Sequence, residues 1–233
     1  MLDWKEVCSN IFPEGNNVTL EGDVLSGEGK IDGRTVAVVG TTAHAAIGVD
    51  TALQLSKVVL NVIQAYPTRP ILMLVDTQGQ NLSRRDELLG NNAYLAHLAK
   101  CFAVARQRGH QLISLVYSEA VSGGFLSLGM IADATYAVRG AEIRVMALPA
   151  MSRITKLPLD ELQELCKTSP ILGPGADNFV ALGAVERIWE EPLDRCLAAA
   201  LDHHIVTDNR RALGESRGGR TAAANIARLV RGC

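Results

Sequence analysis

Hydrophobic and polar positions change period along this chain. Over about the first 35 residues, short apolar pieces at 18–20 and 24–25 alternate with polar, glycine-bearing stretches: Gly15-Asn-Asn, Glu21-Gly-Asp, Gly27-Glu-Gly and Asp32-Gly33. Together with the apolar run 34–39 this predicts hairpin-like strands joined by turns. From residue 50 a helical spacing takes over. Asp50 can cap a helix whose apolar face is Leu53, Val58, Val59, Val62 and Ile63, ending before Pro67. Residues 70–75 and, but for Ser114, 112–117 are apolar and of strand length, 76–83 reads as a polar loop, and 86–108 as one long helix closed by Gly109. Ser122-Gly-Gly opens an apolar helix to about residue 131, before a strand at 135–138.

Strands apolar on both faces and alternating with helices imply a parallel sheet covered on both sides. Beyond Met146 the pattern is helical, with Pro158 at a helix start and further helices at 177–182 and 193–203. The reading is one α/β domain over 1–233: a hairpin region 1–34, a core 35–146, and a helical extension with a basic tail over 147–233. The tail sets Arg210, Arg211, Arg217, Arg220, Arg228 and Arg231 against Glu215. It reads first as a solvated terminal helix and second as a docking surface for an acidic partner.

Composition narrows the function. Across 233 residues, 48% are hydrophobic and 21% charged, which excludes a disordered chain. A net charge of −2 and 4% aromatics argue against a nucleic-acid partner. No apolar run approaches the ~20 residues of a membrane span, and the start lacks the basic and apolar regions of a secretory signal. Cys8, Cys101, Cys166, Cys196 and Cys233 are scattered, without a CxxC pair. Free thiols in a reducing, cytoplasmic setting are expected. His203 and His204 are neighbours, about 100° apart on a helix, and no metal site is expected.

The chemistry concentrates at 112–130. A buried strand there runs into Gly123-Gly124 at the start of a helix. The first N–H groups of a helix lack internal partners, and glycine lets a ligand approach them. The amides of Gly123, Gly124 and Phe125 are therefore candidate donors for an anion or a developing oxyanion. Close helix–sheet packing explains the glycines equally well, and on the residues alone the two readings stand level. Gln80 could lend an amide donor and Arg84 or Arg85 could attract a carboxylate. Against this, the segment reads as a surface loop with a helix cap at Asp86.

The strand–Ser122-Gly-Gly–helix unit, followed by Ala132-Asp-Ala-Thr-Tyr-Ala-Val and Ala141-Glu-Ile-Arg-Val-Met, resembles the crotonase-like carboxyltransferase superfamily. Pro70-Ile-Leu-Met-Leu-Val-Asp, the loop from Gln80 to Glu87, Met146-Ala-Leu-Pro-Ala-Met-Ser-Arg and Leu159-Asp-Glu-Leu-Gln-Glu-Leu resemble more closely the gamma subunits of biotin-independent malonate decarboxylases, over about 35–190. Thr77-Gln78-Gly79 departs from the proline and small residues usual there. The resemblance implies a ClpP/crotonase-like spiral of ββα units with a helical C-terminal extension. It implies an active site shared with a homologous beta subunit, and a malonyl thioester carried on the phosphopantetheine-derived arm of an acyl carrier subunit. An acyltransferase subunit is implied as a further partner, and neither biotin nor any cofactor bound by this chain. Because this half resembles the one that does not hold the arm, Gly123 and Gly124 are expected to orient the departing carboxylate, with Ser122, Gln80 and Arg84 binding substrate.

Other readings stay open. The chain could be a non-catalytic partner completing the beta subunit's site, or an enoyl-CoA hydratase or isomerase active alone. A serine hydrolase would need His97 or His110 as base for Ser122, and G-x-S-x-G is absent; a capping or positional role for Ser122 is preferred. Glu119 reads as solvated or salt-bridged, and Met130, Met146 and Met151 as core filling. If the glycine amides are the donors, Gly124→Pro is expected to lower turnover and leave subunit assembly intact.

Overall fold

The computed structural model describes residues 3–171, 173–190, 192–219 and 222–232; Arg220 and Cys233 of the basic tail lie outside them. A helix not foreseen in the hairpin region, α1 (Trp4–Ile11), comes first. Its Val7, Cys8 and Ile11 are buried at helical spacing, and burial pushes the Cys8 thiol up to about 12. The expected hairpins follow: β1 (Thr19–Glu21), β2 (Val24–Ile31) and β3 (Arg34–Thr41) form an antiparallel meander. Asp32 and Gly33, with φ of 48° and 69°, make the two-residue turn between Ile31 and Arg34.

The chain continues through β4 (Ala45–Ile47), α2 (Val49–Ala65), β5 (Ile71–Gln80), α3 (Arg84–Leu89), α4 (Asn91–Gln107) and β6 (Leu112–Val121). Helix α5 (Ser122–Phe125) runs on through a π-turn at Leu126–Met130, then β7 (Ala134–Val138) and β8 (Glu142–Arg144). After these come α6 (Leu148–Thr155), α7 (Leu159–Thr168), α8 (Ala176–Ala181), β9 (Arg187–Trp189), α9 (Leu193–Asp202), α10 (Arg210–Ser216) and α11 (Ala223–Arg231).

The main sheet has the order β1-β2-β3-β5-β6-β7-β9, parallel from β3 onward. The two apolar segments are its central strands, and Ile71–Val75 and Leu112–Tyr117, Ser114 included, are all buried. The C-terminal halves of β5 and β6 do a second job. A register shift between Val75 and Thr77 lets β5 pair outward with β4, while β6 pairs with β8 from Glu119 to Val121. A short second layer, β4-β5-β6-β8, thus grows from the main sheet at the edge where parallel folds present ligand sites.

Four expectations need correction. Residues 76–80 are strand rather than loop, because Thr77 to Gln80 pair with Ala45 to Ile47. The long helix is two, broken at Gly90, whose φ of 75° ends α3. The segment after Met146 is not wholly helical, since β9 returns to the sheet beside β7. The tail is also less solvated than expected: Arg217 donates to the carbonyls of Val180, Val185 and Glu186, and Arg210 to Met130 O.

Asp86 ties the crossovers together. Its buried carboxylate accepts from Val49 N (3.3 Å), Asn81 Nδ2 (2.7 Å) and Ser83 Oγ (2.7 Å), while Ser83, not Asp86, is the N-cap of α3. The Ser83 hydroxyl, then Val49 N–H and Arg85, hold the Asp86 carboxyl below its usual range. A lowered carboxyl pKa stabilises the fold above the ordinary carboxylate range, and the contribution fades as pH falls through the native value. Asp86→Asn should therefore lower the urea midpoint at pH 7, and the gap to wild type should close as both are titrated toward pH 3.

Candidate functional site

Where β6 ends, Val121 is the N-cap of α5 and Ser122 its first residue, at φ 50°. A non-glycine residue in the left-handed region marks a sharply forced turn, and Ser122 does not cap the helix. The next two glycines are needed for different reasons. A Cβ on Gly124 would lie 2.8 Å from Thr77 Oγ1 and from the carbonyl carbon of Gly79, so the helix rests directly on the backbone of β5. A Cβ on Gly123 would touch Leu95 Cδ1 at 3.9 Å and, much closer, Gln80 Oε1 at 2.9 Å.

That contact decides the fate of the first predicted donor. Gly123 N donates to Gln80 Oε1 at 3.0 Å. The Gly123 amide is thus occupied by the chain's own side chain rather than open to a ligand. Because an N–H faces the oxygen, the orientation of the Gln80 amide is fixed, and its Nε2 carries the two donors that remain. The packing of Gly124 also corrects the expectation for Gly124→Pro: a ring at that position pushes the helix off β5, so assembly is not expected to survive intact.

Beneath the turn, four charged or titratable residues from four segments meet. Asp76, at the bulge of β5, accepts the backbone N–H of His44 (3.0 Å) and of Glu119 (3.2 Å). His44 Nδ1 lies 2.9 Å from Asp76 Oδ1 and 3.2 Å from Glu119 Oε2, between two carboxylates with neither contact aligned as a hydrogen bond. Glu119 Oε1 pairs with Arg144 Nη2. His44 and Ala43 both have positive φ, 52° and 56°, so this loop is held in place by what it contacts.

Arg144 is the register partner of Val121, one residue before the turn. With Ser122, Phe125, Met130, Phe179 and Leu182 it lines a cavity of about 250 Å³. The cavity brings together Ser122 and Phe125 of the predicted site. Gln80, Gly123 and Gly124 are not part of its lining, and Arg84 is exposed on α3 outside the cavity wall. Arg85 is paired with Asp50. Glu119 is salt-bridged, as one of its readings had it. Arg144 and His44 were not singled out from sequence; an arginine closing the short Glu142–Arg144 strand was the available signal.

Of the two candidate bases for Ser122, His110 is out of reach. His110 Nδ1 faces Arg69 O, before the start of β6, and Ser122 follows the end of that ten-residue strand, ~33 Å away at ~3.3 Å per residue. His97 Nε2 lies 3.7 Å from Cys101 Sγ. Among the described residues there is no cluster of histidine, cysteine or carboxylate able to hold a metal, and no helix long and apolar enough to cross a membrane.

A family model described as malonate decarboxylase gamma subunit matches residues 42–233. A relative from Malonomonas rubra, malonyl-S-ACP:biotin-protein carboxyltransferase MADD, is 32% identical over 206 residues, 79% of this chain and 70% of its own. Among solved structures, the Pseudomonas malonate decarboxylase MdcD-MdcE hetero-dimer is similar with a TM-score of 0.74 and 26% identity, over 91% of each chain. The Pseudomonas malonate decarboxylase hetero-tetramer in complex with malonate is similar with a TM-score of 0.74 and 25% identity, over 91% of this chain and 92% of that one. Transcarboxylase 12S, at 18% identity and a TM-score of 0.70, shares the fold over 85% of this chain and 40% of its own. The crotonase-like fold that the resemblance implied is the fold of these carboxyltransferase relatives.

The two glycines separate in stability. Gly124→Ala should cost about 1–3 kcal/mol, the usual range for overpacking, read as a lower Tm. Gly123→Ala should lower Tm by less, since its methyl meets the end of a side chain, Gln80, rather than strand backbone.

Proposed function

This chain belongs to the malonate decarboxylase gamma-subunit family, and from that premise we propose that it supplies one wall of a malonyl-thioester decarboxylation site completed by a homologous beta subunit. The observation that carries the reading is the forced turn at Ser122. It delivers the Gly124 and Phe125 amides, and the Gln80 side chain held by Gly123 N–H, to the strand edge beside an open cavity.

The reaction needs no redox partner. The bond from Cα to the carboxyl carbon breaks, its electron pair moves toward the thioester to give an enolate, and carbon dioxide leaves. A proton from solvent then restores the acetyl thioester. Charge departs from one end of the substrate and arrives at the other, so two sets of donors are required. In this proposal the partner stabilises the thioester oxygen and this chain orients the carboxylate. Gln80 acts through Nε2, with its carbonyl held by Gly123 N–H, so the amide first read as a direct donor becomes the anchor of one. The Gly124 and Phe125 amides and Ser122 complete the polar side of the turn. Arg84, exposed at the start of α3, draws the anionic substrate toward the cleft.

The partner and the carrier belong to the same proposal. The α6–α7 segment leaves Ile154, Leu159 and Leu165 exposed, which supports an apolar contact with the beta subunit. An acyl carrier subunit would present the thioester on its arm, and an acyltransferase subunit would load it. The relative's name specifies a biotin protein as carboxyl acceptor, whereas the family description specifies decarboxylation. We assign release of free carbon dioxide, without biotin, to this chain. Cys8 and Cys101 are buried free thiols, which supports a cytoplasmic setting.

Purified chain, its beta subunit and malonyl-loaded acyl carrier should release carbon dioxide with no biotin protein present. Gln80→Leu should lower that turnover by about 10²–10³, the usual loss for one oxyanion donor, with Tm and subunit association unchanged. Full activity in Gln80→Leu would leave this chain a structural partner, and activity of the chain alone would favour the hydratase or isomerase reading.

A further inference from the structure

The cavity beside Ser122 has an uneven lining. Its floor is aromatic and aliphatic, with the rings of Phe125 and Phe179 packed edge to face at 6.2 Å. Phe125 lies where it does because Gly129 has no side chain: a Cβ there would stand 2.6 Å from the Phe125 ring. The π-turn at Leu126–Met130 supplies Leu126 and Met130 to the wall, and π-turns of this kind concentrate at functional sites. Apart from Ser122, the polar side chain in the lining is Arg144.

Arg144 is not a free surface cation. Its side chain is 26% exposed and pairs with Glu119, which is 14% exposed. Glu119 is itself fixed on three sides, since its backbone N–H goes to Asp76, Oε2 faces His44, and Oε1 holds Arg144. This is more structure than a surface ion pair requires. The guanidinium keeps donors that the single Glu119 contact does not use.

Resting on the reading of the preceding subsection, we propose that Arg144 binds the malonyl carboxylate at the rim of this cavity, and that the apolar floor receives the carbon dioxide that the carboxylate becomes. The physical reason is the change of charge. Before the bond breaks, the group is an anion and needs a cation; afterwards it is a small neutral molecule, better placed against aromatic and aliphatic surface than beside a charge. Atoms and electrons balance as above: the carboxyl carbon leaves with both oxygens, the bonding pair stays on the thioester fragment, and nothing is oxidised.

Glu119 is the positioning residue of this arrangement. A bare guanidinium favours the anionic ground state over a transition state from which the charge is leaving, and so slows the step it prepares. Pairing with Glu119 leaves Arg144 its geometry while offsetting its charge with a neighbouring carboxylate. The two residues therefore make opposite kinetic predictions.

In the assembled complex with malonyl-loaded acyl carrier, Arg144→Gln should reduce kcat/KM by about 10–100-fold, the range for losing a hydrogen bond to a charged group. Most of the loss should be in KM, and Arg144→Lys should recover part of it. Glu119→Gln should lower KM and kcat together, a split that a merely structural role does not produce. If Arg144→Gln fails to assemble, the Glu119→Gln split decides. Carbon dioxide release by wild type with unchanged constants in Arg144→Gln, or with kcat unaltered in Glu119→Gln, would overturn this inference and leave the decarboxylase reading standing. No release by the wild-type complex would remove both.

Discussion

The contact on which the rest of the structure depends is the approach of the Gly124 backbone to β5. The helix that follows β6 lies so close to Thr77 and Gly79 that no side chain fits between them. That proximity fixes where β6 ends and forces Ser122 into the left-handed region. It also brings Gln80 within hydrogen-bond reach of Gly123 N. The Thr77 hydroxyl that faces Gly124 also locks this strand segment, donating to Ala45 O at 2.6 Å and accepting from Gly79 N at 3.0 Å. The site is therefore held on packed backbone, which is where a donor array gains most from being organised in advance.

Electrostatics follow from the same topology. The bulge that frees β5 to pair with β4 leaves backbone N–H groups needing acceptors, and the buried Asp76 carboxylate takes two of them. Once Asp76 is fixed, His44 and Glu119 stack around it, and the second oxygen of Glu119 reaches Arg144 on β8. A structural carboxylate at one strand bulge is thus linked to a cation at the rim of the cavity. The exposed Leu126 (61%) and Val145 (59%) at that rim are apolar surface of the kind that marks an interaction site.

Much of this was legible in the sequence, for identifiable reasons. Ile71–Val75 and Leu112–Tyr117 are apolar on both faces because both faces are covered, so their place at the centre of a parallel sheet could be read directly. Ser122-Gly123-Gly124 announced a tight strand-to-helix turn, and of the two readings of the glycines the packing one is what the structure shows at Gly124. Gly124 is there for packing, and Gly123 gives its amide to a side chain 43 residues away in sequence. No local pattern encodes such a partner. The strand character of residues 76–80 was hidden because its partner, β4, is three residues long and polar residues mark the bulge. Helix α1 was masked by the turn-rich stretch after it, although Trp4, Val7, Cys8 and Ile11 carry the right spacing. Arg144 and His44 escaped because their meaning lies in which strands become neighbours, a property of topology rather than of spacing.

The central claim, that this chain contributes carboxylate-binding groups to a shared decarboxylation site, is tested most directly by a crystal structure of the chain with its beta subunit and a non-reactive malonyl thioester analogue. The account predicts the analogue's carboxylate within hydrogen-bond distance of groups from this chain, Gln80 Nε2 or the Arg144 guanidinium, with its carboxyl carbon facing the Phe125–Phe179 floor. A carboxylate held wholly by the beta subunit, with the Ser122 cavity filled by a partner side chain, would contradict it.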